Sequence, residues 1–193
     1  EDMALMRAIP NIVLLSPADC VETIKAVEAS AEYNGPVYIR LTGGQNHPQV
    51  YSEDYKFEIG KAVELKKGKD ISIIATGTMV SESLKVAEML EEMGISTSVI
   101  NMHTIKPIDE NIIEIAAKNS KLIVTIEEHS IVGGLGSAVA ELIKKKKLKR
   151  EHLLIGLPDS FLKVAEYGYL LEKYGLTKEK ILKKIFEFYS EIV

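Results

Sequence analysis

Two acids and a histidine, Glu127, Glu128 and His129, end the apolar run 122–126 (LIVTI), and Gly133, Gly134 and Gly136 follow shortly after. Such a cluster permits two kinds of chemistry. Carboxylates and an imidazole within reach of one another can move protons. A glycine loop that opens a helix can present free N–H groups to an anion. The two glutamates just before the loop argue against a phosphate, so the glycines read as a tight turn with close helix-to-strand packing. His103 also follows a predicted strand, so His103 and His129 could share one rim with Glu127 and Glu128 as an acid/base group. Histidines that merely bond to loops are the commoner arrangement.

The four histidines, His47, His103, His129 and His152, include no pair at helical i, i+4 spacing and no Cys-x-x-Cys company. A metal site is therefore not expected from spacing. Neither a Gly-x-Ser-x-Gly elbow nor a P-loop occurs. Thr76-Gly77-Thr78 reads as a strand-to-helix turn more than a phosphate loop. Arg40 interrupts an apolar strand at 37–41 (VYIRL). A guanidinium there suits a phosphate or carboxylate ligand, or an internal acid, or solvent.

The elements that must position these residues follow from periodicity. Residues 11–15 (NIVLL) form a short strand, and SPADC after it starts a helix with Ser16 as N-cap, Pro17 at the first position and Asp19 closing a capping box. Val21, Ile24, Val27 and Ala31 make its apolar stripe, with Cys20 as a small packed hydrophobe. Asn34-Gly35-Pro36 ends it, and the strand at 37–41 should pair in parallel with the first. Residues 42–55 read as a linker. Strands at 57–65 and 71–75, joined by KKGKD, suggest an antiparallel pair. A helix carries Val80, Leu84, Ala87 and Leu90 on one face and ends at Gly94. A strand at 95–101 precedes a loop at 103–109, where Asp109 caps a helix with Ile112, Ile113 and Ala116. After the strand and helix of the glycine motif come a strand at 153–157 and a mixed stretch. A final helix capped by Thr177 carries Ile181, Ile185, Phe188 and Ile192. Alternating strands and helices predict an α/β fold with a mainly parallel open sheet flanked by helices.

Composition narrows the function classes. A net charge of −4 makes nucleic acid an unpromising partner, and the basic run Lys144–Lys147 with Lys149 and Arg150 reads as a solvated helix end. No apolar run is long enough for a membrane helix, and no secretory leader is visible. The single cysteine excludes an internal disulfide and fits a reducing, cytoplasmic setting. Glu1 is not a start methionine, which suggests a fragment or a processed chain.

EDMALMRAIPN, SPAD, PVYIRL, ATGTMV, NMHTIKPID, EEHSIVGGLGSAVAE and YGLT occur in this order. Together they resemble the C-terminal part of transketolases, especially the split-subunit form, over essentially the whole chain. The EEH…GGLGSAVAE and GLPDSF stretches are also similar to 1-deoxyxylulose-5-phosphate synthase, and more faintly to 2-oxoacid dehydrogenase β subunits. HTIKPID with RLTGG favours the transketolase branch. The resemblance implies residues 1–45 as the tail of a pyrimidine-binding domain, 46–54 as linker and 55–193 as the transketolase C-terminal domain. It also implies thiamine diphosphate and magnesium in the intact enzyme, an N-terminal subunit or domain as partner, a dimer, and ketol transfer between sugar phosphates in pentose phosphate metabolism. The cofactor supplies the hard chemical step in such enzymes. The family's GDG…N motif is not in this sequence, and its activating glutamate and DG-x-TH segment belong upstream. No catalytic residue and no bound cofactor are therefore expected in this chain alone. The family's phosphate-binding arginine aligns with Gly44 or Gly43, which leaves Arg40, Gln45, Asn46 and His47 as substrate-binding candidates. His103, Glu128 and His129 are the rim candidates. The alternatives are a non-catalytic docking or dimerisation domain, and a part of either of the two other enzyme families.

Overall fold

The computed structural model describes residues 1–42 and 48–193. Helix α1 (Asp2–Ala8) carries Asp2 in its first turn and Arg7 in its last, each favourable to the helix dipole. Strand β1 (Val13–Leu15) follows, then α2 (Cys20–Glu32) and β2 (Val37–Ile39), and β1 pairs in parallel with β2 as expected.

Helix α2 departs from its expected course twice. Its N-cap is Asp19, whose Oδ1 accepts the Glu22 N–H at 2.8 Å, so Ser16 and Pro17 lie before the helix. Its inward face is Glu22 and Ala26, while Ile24 and Val27 are 61% and 52% exposed and Cys20 is exposed. The Glu22 side chain sets this rotation. It accepts Ala18 N–H at 2.6 Å, the Tyr55 hydroxyl at 2.6 Å and the Asn101 amide at 2.8 Å. A buried carboxylate so satisfied draws its own helix face inward and turns the apolar stripe out.

Strand β3 (Val63–Lys66) is antiparallel, but to a later strand and not to β4 (Ile71–Ala75). After β4 come α3 (Met79–Glu92), β5 (Thr97–Asn101) and β6 (Thr104–Lys106). The 66–70 turn crosses the start of β5. There Ser96 O accepts the N–H groups of Asp70 and Ile71, and Asp70 Oδ2 accepts Ser96 N–H at 3.0 Å. That crossing places β5 between β3 and β4. Strand β6, in the stretch expected to be loop, pairs antiparallel with β1. Helix α4 (Glu110–Asn119) is capped by Asp109, as expected from the sequence.

Strand β7 (Leu122–Ser130), α5 (Leu135–Lys145), β8 (Glu151–Leu157), α6 (Tyr167–Tyr174) and α7 (Lys178–Ile192) complete the order. The main sheet runs β3-β5-β4-β7-β8, parallel except for β3, and the small sheet runs β2-β1-β6. The protein is therefore α/β with a mainly parallel sheet flanked by helices. One core layer joins β4, β7, α3 and α7 through Ile73, Val124, Ile126, Leu90, Ile181 and Ile185. The other joins α4 and α5 to the opposite face, and it takes in Met3 and Leu14 from the first residues. In α7, Tyr189 is buried where Ile192 was expected, and Ile192 lies at the open end.

Candidate functional site at the strand ends

The chain leaves β4 through α3 toward β5 on one side, while β7 lies on the other. The carboxyl ends of β4 and β7 thus form the crevice where open α/β sheets usually bind ligands. Here protein groups fill it. Ser16 O accepts both the Thr76 hydroxyl and the Gly77 N–H at 3.2 Å. The Glu128 carboxylate accepts the Thr78 hydroxyl at 2.6 Å and the Tyr167 hydroxyl at 2.7 Å. Arg40 reaches the same point, donating to Glu128 O at 3.1 Å.

The acids and histidine expected in a loop are instead the end of β7, which continues to Ser130. Strand alternation sends Glu127 and His129 to one face and Glu128 to the other. Glu127 is 1% exposed, and its two oxygens accept the N–H groups of Leu135 at 2.7 Å and Gly136 at 2.8 Å. An internal carboxylate therefore occupies the anion position at the start of α5. Burial pushes Glu127 up to about 7, against the pull of those N–H groups and of Arg7 and Arg40. Gly134 lies hard against this carboxylate. A Cβ there would lie 1.9 Å from Glu127 Oε2.

His129 is buried, with Nδ1 2.8 Å from Ser130 O, and burial holds its pKa below the usual imidazole value. His103 sits elsewhere, stacked on Phe57 at 4.2 Å, with Nδ1 2.9 Å from the Thr104 hydroxyl. Burial lowers it to about 4, with Asp109 pulling the other way. Among the described residues, no hydrogen bond or ion pair joins His103 to His129 or Glu128, and Glu128 faces away from His129. The structure does not bring the rim candidates together as one acid/base group.

Arg40 is held by Asp2, with Nε 3.0 Å from Oδ2, and by the Glu128 carbonyl, so its guanidinium is engaged inside the protein. Gln45, Asn46 and His47, with Gly43 and Gly44, lie outside the described residues.

Sequence reasoning missed a second polar cluster. Glu22, Asn101, Tyr51 and Tyr55 form a buried clasp between α2, β5 and the stretch after residue 47. Asn101 donates to Tyr51 Oη at 2.7 Å, and the two tyrosine rings stack at 4.1 Å. Asp19 Oδ2 fastens the same stretch by accepting the N–H groups of Val50 and Tyr51. The spacing of Tyr51 and Tyr55 in a supposed linker was the available signal.

Residues 60–181 match the family model described as "Transketolase, C-terminal domain". The chain belongs to this family. It is 46% identical over 189 residues to a Methanocaldococcus jannaschii protein provisionally named a transketolase C-terminal section, covering 97% of this chain and 58% of that protein. It is 38% identical to a 1-deoxy-D-xylulose-5-phosphate synthase of Caldanaerobacter subterraneus subsp. tengcongensis, covering 99% of this chain and 31% of the synthase. Among solved structures, a split-gene transketolase described as an inactive β4 tetramer superposes with a TM-score of 0.92 at 40% identity, over 100% of this chain and 62% of that one. The transketolase C-terminal segment seen here thus spans somewhat over half the length of the M. jannaschii relative.

The thiamine diphosphate implied by the family can be tested against the residues present. The glycine loop does not fit a diphosphate, because the Glu127 carboxylate takes its helix N–H groups and Gly134 is pressed against that carboxylate. Among the described residues, no group of three or more His, Cys, Asp or Glu side chains is placed to hold a metal ion.

Proposed function

We propose that this chain is the C-terminal portion of a thiamine-diphosphate-dependent transketolase of the split-subunit kind. The intact enzyme would transfer a two-carbon ketol unit between sugar or sugar-phosphate substrates. Residues 1–45 would be the tail of its pyrimidine-binding domain, 46–54 the linker and 55–193 the C-terminal domain. Its N-terminal partner would bring the diphosphate and metal ligands. The observation that carries this reading is the near-complete coverage of the chain by the M. jannaschii relative, together with the TM-score of 0.92 to a split-gene transketolase.

The site geometry supports an assembling role for this portion. The strand-end crevice, open to ligands in other α/β sheets, is closed here by Ser16, Arg40, Glu128 and Tyr167, which tie four parts of the chain together. The inactive β4 form of the similar protein favours the same division of labour, with chemistry requiring the other subunit.

Calorimetric titration with thiamine diphosphate and magnesium tests this. The chain alone should give no binding heat, and adding the N-terminal subunit should restore both binding and ketol transfer. Stoichiometric binding by the chain alone, or no transfer by the reconstituted pair, would overturn the reading.

A further inference from the structure

Among the described residues, β2, β6, β3 and β8 form the sheet edges, and three of these are blunted. Strands β2 and β6 are three residues long, with Pro36 just before β2 and Pro107 just after β6. Strand β3 carries Glu64 and Lys66, with a register shift between them. Short length, charge, proline and bulges are the usual means of keeping an edge from pairing. Strand β8 lacks them. It has seven residues, and from Leu153 to Leu157 it carries neither charge nor proline. The register shift it shares with β7 adds residues to β7 and leaves β8 regular. Both its faces are apolar. Leu153, Ile155 and Leu157 join the α3–α7 layer, and Leu154 lies on the other face against Gly136 of α5. That pattern belongs to an interior strand of a parallel sheet, yet β8 pairs with β7 on one side only. Among the described residues, no hydrogen bond reaches its outer side.

A second copy of β8 fits this edge. Twofold pairing sets the strand antiparallel to itself, and residues directly opposite must share a face. Only registers that place a residue opposite its own copy meet both conditions. Centring on Leu154 pairs all seven residues and sets Glu151 opposite Leu157. It also brings Lys149, just before the strand, alongside Asp159, just after it. Both side chains are exposed, and among the described residues neither has an ion-pair partner. The neighbouring registers are worse. Centring on Ile155 sets Glu151 against Asp159, and centring on Leu153 sets Glu151 against the buried Ile155.

Beyond Asp159 the chain bends and runs to Glu166 without regular structure, with Phe161 and Val164 fully exposed. In the register centred on Leu154 this strap passes residues 147 and 148 of the other copy. These line an open cavity of about 510 Å³ between α5 and β8, whose apolar wall is Ala140, Ile143 and Leu148. A stable dimer buries about 1,200 Å² or more, beyond what two strand edges provide, so the straps belong to the contact. We propose that β8 is the interface between two copies of this chain: the strands pair antiparallel about Leu154, the two main sheets become one, and each strap seats Phe161 in the hollow beside α5 of the other copy. The N-terminal subunit proposed above takes no part in this contact, so the chain alone shows it.

Sedimentation equilibrium of the full chain measures the association, and charge reversal assigns the face. Lys149→Asp and Asp159→Lys should each weaken association roughly tenfold, because a dimer contains the pair twice. The double reversal should restore it, which a merely structural effect would not do. Phe161→Ser should weaken association without shifting denaturant unfolding of the monomer, where this side chain buries nothing. Hydrogen exchange of the β8 amides should slow as concentration rises, while that of β3, at the opposite edge, stays constant. A chain monomeric at every concentration reached, association left intact by both single reversals, a double reversal as weak as the singles, or β8 amides indifferent to concentration would each overturn the pairing.

Discussion

The main sheet and the small sheet each contain a strand–helix–strand unit, yet they bury its helix differently. Helix α3, between β4 and β5, turns Met79, Val80, Val86, Ala87 and Leu90 into a core that α7 also covers. Helix α2, between β1 and β2, buries only Glu22 and Ala26 and leaves Ile24 and Val27 in solvent. The small sheet's own cluster consists of Val13, Leu15 and Ala26 with a few partly buried neighbours. The same local pattern thus gives a closed layer where the sheet has partners on both faces and a half-open one where it does not. Stability should be concentrated in the first region, and in the second it should rest on polar fastenings more than on apolar area.

The largest effect expected from this contrast is in the closed region. Ile126 is fully buried in β7, between β4 and β8, and belongs to the core shared with α3 and α7. Ile126→Ala should cost about 2–5 kcal/mol, the transfer term plus a residual cavity. Denaturant unfolding measures it directly. A loss below about 1 kcal/mol would mean that the core collapses around the gap, and the contrast between the regions would weaken.

In the half-open region the decisive residue is Glu22. Replacing it with Ala leaves Ala18 N–H, the Tyr55 hydroxyl and the Asn101 amide without their acceptor. Each buried group so orphaned costs about 1–3 kcal/mol, discounted by the desolvation that the carboxylate no longer suffers, so a net loss of about 2–3 kcal/mol is expected. Burial raises the Glu22 pKa, with its hydrogen bonds acting against that rise. Its contribution is therefore fully present below the ordinary carboxylate value and declines as pH rises through the folded one. Unfolding of Glu22→Ala across mildly acid to neutral pH should show a flatter profile than wild type. A parallel profile would show that Glu22 does not titrate in the clasp.

These residues also mark where the sequence was legible. Strand β7, helix α5, the Asp109 cap and the Gly94 stop follow from local periodicity and cap chemistry, and the structure has all four. What escaped was decided by partners distant in the chain. Strand β6 exists because β1 offers it a free edge, and β5 enters between β3 and β4 because the 66–70 turn crosses Ser96. The direction of α2 depends on Tyr55 and Asn101, which no helical pattern could supply. The expected encounter of His103 and His129 rested on both following strands. Yet His103 belongs to the turn that carries the chain from β5 into the small sheet, where it packs on Phe57. The glutamates before the glycine loop did carry a usable signal, because a carboxylate adjacent to free helix N–H groups is itself the simplest anion to place there.

The smallest effect should come from the apolar stripe itself. Ile24 is 61% exposed and lines a cavity of about 350 Å³ with Cys20, Leu41 and Pro17. In this chain by itself, Ile24→Ser removes little buried area and loses only slight helix propensity, so unfolding should shift by no more than about 0.5 kcal/mol. The same substitution in the chain reconstituted with its proposed N-terminal subunit separates two explanations of the open face. If the stripe is simply surface, the shift stays within that bound. If the assembled enzyme covers it, the loss should approach the ~1.5–3 kcal/mol of a buried aliphatic side chain, and it should appear only in the assembled form. The contrast between α3 and α2 would then reflect which helix still lacks its neighbour, and the clasp around Glu22 would be what holds α2 in register until that neighbour arrives.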